Sequence, residues 1–231
     1  MSKLKQEYFP NVWEIARTLV KVYGRPTLGN KRIPFDELLF IVLSSKTPPD
    51  RYNLTYRVLK EKYPVADDLA HVKPASIART IAFGGLAEKK ARQISTIAKM
   101  VLRKFGRVTL NPLRQTNNQE AEAFLDALPG IGKKTARCIL MYSFDRPVFP
   151  VDAHCFRISK RLGWIPQNGN LTNRIADELQ RGIPPSFRRD LHVGMILLGR
   201  EYCQAQNPYC SECPLLSLCP TGKQQSKQAT L

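Results

Sequence analysis

The segment that decides the fold of this chain is NQEAEAFLDALPGIGKKTAR, residues 118–137. A helical pattern leads into a tight turn, PGIG at 129–132, and a second helical pattern begins at Lys133. Glycine permits positive φ and close approach of another backbone, and the first N–H groups of a helix lack intrahelical partners. Gly130, Gly132 and the start of the second helix therefore predict a hairpin that binds phosphate through backbone amides, with Lys133 beside it. A plain αα-hairpin is the simpler alternative.

Apolar residues recur at helical spacing along almost the whole chain, and no stretch keeps up the alternation of a strand. The sequence therefore predicts an all-α protein with two helical domains. A helical bundle that carries the hairpin is expected over 36–146, and residues 1–35 and 147–220 together are expected to form the other domain. The polar, aperiodic residues 221–231 predict a disordered tail.

The helices themselves are predicted over about 10–23, 35–45, 50–62, 66–71, 74–82, 87–104, 117–127, 133–145, 153–162, 172–180, 186–200 and 210–216.

The chain is strongly basic, with 36 Lys+Arg against 19 Asp+Glu and a formal net charge of +17. Basic residues are spread over many segments, which favours a nucleic-acid partner, because each neutralised phosphate releases counterions. A highly soluble protein without such a partner is the alternative. The amphipathic N-terminus is not a signal peptide, and no stretch is apolar enough to span a bilayer. We therefore expect a cytoplasmic, nucleoid-associated protein that is not secreted and has no membrane partner.

Four cysteines, Cys203, Cys210, Cys213 and Cys219, lie close together in the run CQAQNPYCSECPLLSLC. Four thiolates at this density predict a metal centre. Structural zinc sites usually pair two short Cys-x2-4-Cys knuckles, whereas here the middle pair alone has knuckle spacing. Iron–sulfur clusters accept less regular spacings, so spacing leaves zinc and iron–sulfur open, with two disulfides as a third option.

The hairpin segment LPGIGKKTA, together with VDAHCFRISKRLGW at 151–164 and the cysteine spacing, resembles the endonuclease III group of DNA glycosylases in the helix-hairpin-helix superfamily. The matching motifs occur in the same order over about residues 10–220. The resemblance implies a [4Fe-4S] cluster on the four cysteines and a DNA-binding groove flanked by the two domains. It also implies that the partner is double-stranded DNA containing a damaged or modified base, and we expect the protein to be a monomer.

By the same resemblance, Lys134 is the catalytic nucleophile and Asp152 the essential carboxylate. A carboxylate stabilises the oxocarbenium character that develops when an N-glycosidic bond breaks, and a neutral lysine amine can attack C1′ to give a Schiff base. The adjacent Lys133, burial and the helix N-terminus are expected to lower the pKa of Lys134. The alternative is that Lys134 contacts phosphate and does no chemistry.

Two upstream loops are similar to the duplex-inserting loops of this family. GLAEKKA at 85–91 supplies Leu86 as a wedge between bases, although ordinary helix packing of Leu86 is a close alternative. LSSK at 43–46 places Lys46 where the family typically has glutamine, and lysine lacks the acceptor that an amide offers to the orphaned base. The remaining DNA contacts expected at the interface are those of Lys89, Lys90, His154 and Arg157.

These observations predict a base-excision-repair DNA glycosylase with abasic-site lyase activity. Its expected substrate is a damaged or modified pyrimidine base in duplex DNA. The stretch FPVDAHCFRISKRLGWIP is also similar to the corresponding part of the plant 5-methylcytosine glycosylases. Two alternatives remain open at this point: a monofunctional glycosylase, and a non-catalytic protein that binds damaged DNA and carries a structural metal.

Overall fold

The computed structural model describes residues 7–228, and within them the chain is helical with no strand, as predicted. No helix among these residues has the length and apolar character needed to cross a membrane. The α-helices of this part of the chain are α1 Val12–Tyr23, α2 Pro34–Ser44, α3 Pro49–Lys62, α4 Asp68–His71, α5 Pro74–Thr80, α6 Ala87–Phe105, α7 Asn118–Asp126, α8 Lys133–Phe144, α9 Ala153–Arg161, α10 Asn173–Arg181, α11 Arg188–Glu201 and α12 Pro220–Gln228.

The chain divides into two compact units. Unit 2 is the continuous stretch 29–146, and unit 1 combines the residues up to Leu28 with those from Pro147 onward. The first boundary falls before Gly29, earlier than the expected position after residue 35. The reason is that the segment before α2 bonds within unit 2: the Ser143 hydroxyl donates to the Lys31 carbonyl, 2.7 Å away.

Unit 2 is built around α2, whose sequence PFDELLFIVLS is apolar on nearly all sides. A helix of this kind is stable when it is surrounded by other helices. Leu38, Leu39 and Leu43 are fully buried, and α2 packs against α3, α6 and α8. This packing places the C-terminus of α2 and the loop that follows it beside the N-terminal half of α8.

Unit 1 takes its core from both ends of the chain, because α1 packs along α11 and α11 packs along α9. The close approach of α1 requires Gly194, where an added Cβ would lie 2.8 Å from the Cβ of Leu19. Leu19, Phe149 and Leu191 are among the residues buried in this core.

Two predictions about the C-terminal part are wrong. Instead of one helix over 210–216, the chain forms short 3-10 turns at Cys210–Glu212 and Leu216–Leu218. The predicted disordered tail is helical as far as Gln228, and 229–231 lie outside the described residues. Proline suits the first position of α12, and the Thr221 hydroxyl anchors the helix by donating to the Arg161 carbonyl at 2.9 Å.

A fully buried carboxyl group, that of Glu37, lies in the first turn of α2. Its oxygens accept hydrogen bonds from Asn30 Nδ2 at 2.5 Å and from the Lys31 backbone N–H at 2.6 Å. Burial raises the pKa of Glu37 to about 7, although these bonds and the positive charges of Lys31 and Lys134 pull it down. The native protein therefore retains a proton that an unfolded chain loses near its ordinary pKa of 4.5.

The pH dependence of stability should reflect this proton. Because the native state holds it more tightly, the free energy of unfolding falls as pH rises from about 4.5 to about 7. Glu37→Gln should remove this component, on the order of 3 kcal/mol across the window, when denaturant unfolding is followed from pH 4 to pH 8. The exposed Glu14→Gln is the control. Parallel curves for the wild type and Glu37→Gln would show that Glu37 does not titrate in this range.

Candidate active site and DNA interface

The hairpin between α7 and α8 has the predicted geometry. A reciprocal capping box between Asn117 and Glu120 starts α7, and Ile131 is buried under the turn. Gly130 adopts φ +69°, a conformation in which a side chain is strained. On the far side of the turn, Gln93 Nε2 donates to the Pro129 carbonyl at 2.9 Å. The turn is therefore held both by its own backbone and by α6.

One carboxylate, that of Glu122, joins the two arms of the hairpin. Arg137 donates Nε to Glu122 at 2.9 Å, and Lys133 Nζ lies 3.4 Å from the other carboxylate oxygen. The Lys133 side chain is 19% exposed and is engaged within the hairpin. A phosphate contact through the Lys133 ammonium, as predicted, is therefore not supported.

Lys134, the next residue, is exposed on a different face of α8. The burial expected to lower its pKa is therefore not observed. Lys134 instead borders a pocket of about 230 Å³ within unit 2. The pocket lies between the end of α2, α6 and the hairpin turn, and is lined by Ile41, Val42, Ser44, Ser45, Gln93, Gly130, Ile131, Lys134 and Thr135. Hydroxyl, amide and ammonium groups thus surround a space at the N-terminus of α8.

Asp152 lies in unit 1 as the N-cap of α9, where Oδ1 accepts from the Cys155 backbone N–H at 2.8 Å. Burial alone would raise the pKa of Asp152, but this bond and the His192 imidazole outweigh it, so the pKa is held below its usual range. His192 is buried, with Nδ1 2.9 Å from the Pro150 carbonyl, which accepts the proton of that nitrogen. The segment around Asp152 is thereby fixed, and its carboxylate is ionised.

His154 and Arg157 are largely occupied by internal bonds. Arg157 donates Nε to the Cys203 carbonyl at 2.9 Å and Nη2 to the Gly199 carbonyl at 3.1 Å. His154 Nδ1 lies 3.0 Å from the same Nη2, and burial lowers the pKa of His154. Arg157 therefore joins α9 to α11 and to the cysteine loop, which differs from the predicted role as a DNA contact.

The two upstream loops share an unusual backbone feature. Lys46 has φ +51° and Leu86 has φ +53°, a left-handed conformation that is uncommon outside glycine. Both side chains are exposed, as is Lys89. Lys90 is different: it is 3% exposed, and its ammonium donates to the carbonyls of Leu43 and Gly84. The predicted phosphate contact of Lys90 is therefore wrong in this structure, because its charge is turned inward.

The four cysteines line one cavity of about 20 Å³ in unit 1. Burial, together with the other cysteine sulfurs, raises the pKa of Cys213 to about 11. N–H donors already face two of the sulfurs: Arg161 Nη1 lies 3.1 Å from Cys203 Sγ, and the Gly222 N–H 3.3 Å from Cys219 Sγ. Within residues 7–228, no three donor side chains are grouped as they would be around a single metal ion.

A glycine turn at the N-terminus of a helix, a basic chain that is helical throughout the described residues and a four-cysteine loop together describe a DNA-repair protein of the helix-hairpin-helix class. The chain belongs to the HhH-GPD superfamily of base excision DNA repair proteins, whose family model matches residues 39–185.

Within that superfamily the chain is of the endonuclease III type. It is 30% identical over 214 residues to endonuclease III of Thermotoga maritima, covering 93% of this chain and 94% of the relative. It is 31% identical over 195 residues to endonuclease III of Bacillus subtilis, covering 84% of each. A solved structure of a trapped covalent endonuclease III–DNA intermediate matches with a TM-score of 0.78 and 29% identity, covering 94% of this chain and 100% of that one.

The chain is therefore a DNA glycosylase of base-excision repair, in a group of glycosylases with lyase activity. The predicted family, fold class and enzyme class are confirmed. Sequence reasoning missed Glu37, Gln93 and His192. Glu37 carried a usable signal, since an acidic residue at a core-facing position of an apolar helix needs a partner. Gln93 and His192 act through backbone carbonyls far away in the sequence, for which no local pattern exists.

Gly130→Ala should destabilise the protein more than the same substitution at Gly106, a glycine with a similar φ and no neighbouring side chain within 4 Å of an added Cβ. Both Gly130 and Gly106 have positive φ, but at Gly130 an added Cβ would lie 2.7 Å from Gln93 Nε2. Gly106→Ala should cost about 1 kcal/mol of unfolding free energy from backbone strain. Gly130→Ala should cost about 1 kcal/mol more, because Gln93 must leave the Pro129 carbonyl. Equal losses in urea unfolding would contradict the assigned contact.

Proposed function

We propose that Lys134 is the nucleophile and Asp152 the essential carboxylate of a glycosylase and abasic-site lyase that removes a modified pyrimidine from duplex DNA. The observation that carries this proposal is the exposed Lys134 at the start of α8, at the edge of a polar pocket. Glu122 forms an ion pair with the adjacent Lys133, whereas Lys134 lines that pocket. The resemblance in sequence supports the same assignment.

Asp152 would act on the sugar. Because its pKa lies below the usual range, its carboxylate is negative near neutral pH. A fixed negative charge stabilises the oxocarbenium character that develops at C1′ as the N-glycosidic bond lengthens. Its hydrogen bond from the Cys155 N–H keeps the carboxylate oriented without neutralising it.

Lys134 would complete the displacement. Its unprotonated amine forms a bond to C1′ while the bond to the base breaks, and the departing base takes up a proton. Opening of the sugar gives a Schiff base, which makes the C2′ proton acidic. Loss of that proton expels the 3′ phosphate by β-elimination, and water then releases Lys134 from the cleaved strand. A trapped covalent protein–DNA intermediate is the species expected from this chemistry.

The cysteine loop fits a [4Fe-4S] cluster held by Cys203, Cys210, Cys213 and Cys219. The four thiols line one cavity, and the cysteines are less regularly spaced in the sequence than the two short knuckles of a structural zinc site. A four-iron cluster is larger than one zinc ion and holds its thiolates farther apart. Arg161 and Gly222 donate hydrogen bonds to cysteine sulfurs, and such bonds help to set the reduction potential of a bound cluster. When bound, the cluster would crosslink the four cysteines of the loop 203–219 to one another.

The DNA contacts that remain in the proposal are those of the hairpin and the two loops. Gly130 and Gly132 would bind phosphate through backbone amides, and Lys89 would add charge beside Leu86. Lys46 and Leu86 project from the surface and would enter the duplex. We propose that the protein acts as a monomer.

Covalent trapping should identify both the nucleophile and the substrate. Purified protein is mixed with duplexes that each carry one modified pyrimidine, and sodium borohydride is added. We expect a lesion-specific adduct on a denaturing gel that is lost in Lys134→Ala and retained in Lys99→Ala. Asp152→Asn should slow base release by about 100-fold or more.

The outcomes separate the alternatives. Base release without any adduct, with strand cleavage appearing after alkali alone, would indicate a monofunctional glycosylase in which water attacks. Binding to damaged duplex without base release, and unchanged by Asp152→Asn, would indicate a non-catalytic binding protein.

The identity of the metal can be tested directly on protein purified without oxygen. We expect a brown protein with visible absorption and equal amounts of iron and inorganic sulfide. Cys219→Ser should lose most of the absorption, whereas Cys138→Ala, at a buried cysteine outside the quartet, should keep it. A colourless wild-type protein that contains zinc would contradict the cluster assignment.

A further inference from the structure

Lys90 is a buried charge that the proposed chemistry does not use. Its ammonium donates three hydrogen bonds: to the Leu43 carbonyl at 2.7 Å, the Thr47 hydroxyl at 2.6 Å and the Gly84 carbonyl at 3.0 Å. These bonds use the full donor capacity of an ammonium group. All three acceptors are uncharged, so the Lys90 ammonium is stabilised by these three hydrogen bonds and not by an ion pair.

The three acceptors lie at the bases of two different loops. Leu43 and Thr47 bracket the residues 44–46, which we call the first loop, and Gly84 begins the second loop, 84–86. The loops are also bonded directly, because the Thr47 hydroxyl lies 2.7 Å from the Gly84 carbonyl and donates to it. One ammonium and one hydroxyl therefore tie together two loops that are about 40 residues apart in the sequence.

Each loop carries one strained, exposed residue. Lys46 and Leu86 both have positive φ, a conformation that persists where the surroundings determine the backbone. The second loop is held from its other side as well, since an added Cβ at Gly84 would lie 2.6 Å from Thr55 Oγ1 in α3. The bonds of Lys90 thus fix the backbone from which both residues project.

A purely structural explanation of Lys90 is weak. Removing an ammonium from water costs free energy, and burial accordingly lowers the pKa of Lys90. An apolar side chain of similar volume usually serves a core as well as or better than a buried charge. What a methionine could not supply is a simultaneous link to three acceptors on two loops.

We propose that Lys90 is a positioning residue that holds the two loops as one preassembled unit, so that Lys46 and Leu86 enter the duplex together. The proposal rests on the DNA-glycosylase function proposed above. Extruding a base costs unstacking and unpairing free energy. Loops ordered before binding spend none of the interaction energy on their own ordering, and more is available to open the duplex.

The test compares Lys90→Met with Lys99→Met, which removes the same charge from an exposed position about half a turn out of phase on α6. The probe is a duplex with a tetrahydrofuran abasic analogue beside 2-aminopurine, whose fluorescence rises on unstacking. At saturating protein, Lys90→Met should give less than half of the wild-type rise, and Lys99→Met the full rise. A full rise for Lys90→Met would overturn the proposal.

A kinetic comparison separates positioning from general damage to the fold. On a lesion in duplex DNA, Lys90→Met should be slower by about tenfold or more in single turnover. On single-stranded abasic DNA, where no duplex has to be opened, borohydride trapping should stay within about twofold of the wild type. Equal losses on both substrates would overturn the proposal. If the wild type unstacks the probe but traps on no substrate, the proposed function fails while the role of Lys90 stands.

A second pair of variants decides the matter if Lys90→Met does not fold. Thr47→Val removes the hydroxyl that bonds both Lys90 and Gly84, and Thr47→Ser retains it. We expect a reduced 2-aminopurine rise for Thr47→Val and the wild-type rise for Thr47→Ser. Identical behaviour of the two variants would overturn the proposal.

Discussion

The carboxylate of Glu122 joins the two arms of the hairpin. Lys133 and Arg137 lie one helical turn apart on α8, and both are drawn to this carboxylate from the facing helix α7. Successive residues of a helix point about 100° apart, so holding Lys133 on one face directs Lys134 to another. Glu122, eleven positions before Lys133, thus pairs with Lys133, whereas the chemically identical Lys134 lines the pocket.

The pocket beside Lys134 follows from the burial of α2. That helix is apolar on nearly all sides, so its neighbours surround it, and its C-terminus reaches the hairpin with Ser44 and Ser45 at the pocket wall. Gln93 bonds the Pro129 carbonyl from α6 and closes the third side. The same helix therefore contributes to the hydrophobic core along its length and to the wall of the polar pocket at its C-terminus. A change in the packing of α2 would alter both.

Local patterns in the sequence were sufficient for α1 to α11 and for the hairpin. Periodicity located α1 to α11, because amphipathic spacing reflects a local geometry, and the glycines of the turn reported the positive φ at Gly130. Three of the errors have a common cause. Lys90 and Arg157 look like surface cations on amphipathic helices, yet their acceptors are backbone carbonyls elsewhere in the chain. The residues of α12 look disordered because the anchoring carbonyl belongs to Arg161, about 60 positions earlier.

The split composition of unit 1 has a consequence for biosynthesis. Helix α1 leaves the ribosome first, but α11, on which it packs, is translated about 170 residues later. At typical elongation rates this delay is roughly ten to thirty seconds, during which the apolar face of α1 has no native partner. Unit 2 is one continuous stretch and is complete well before then. The nascent chain therefore passes through a stage in which unit 2 is complete and the amphipathic segment 12–23 still lacks its packing partner.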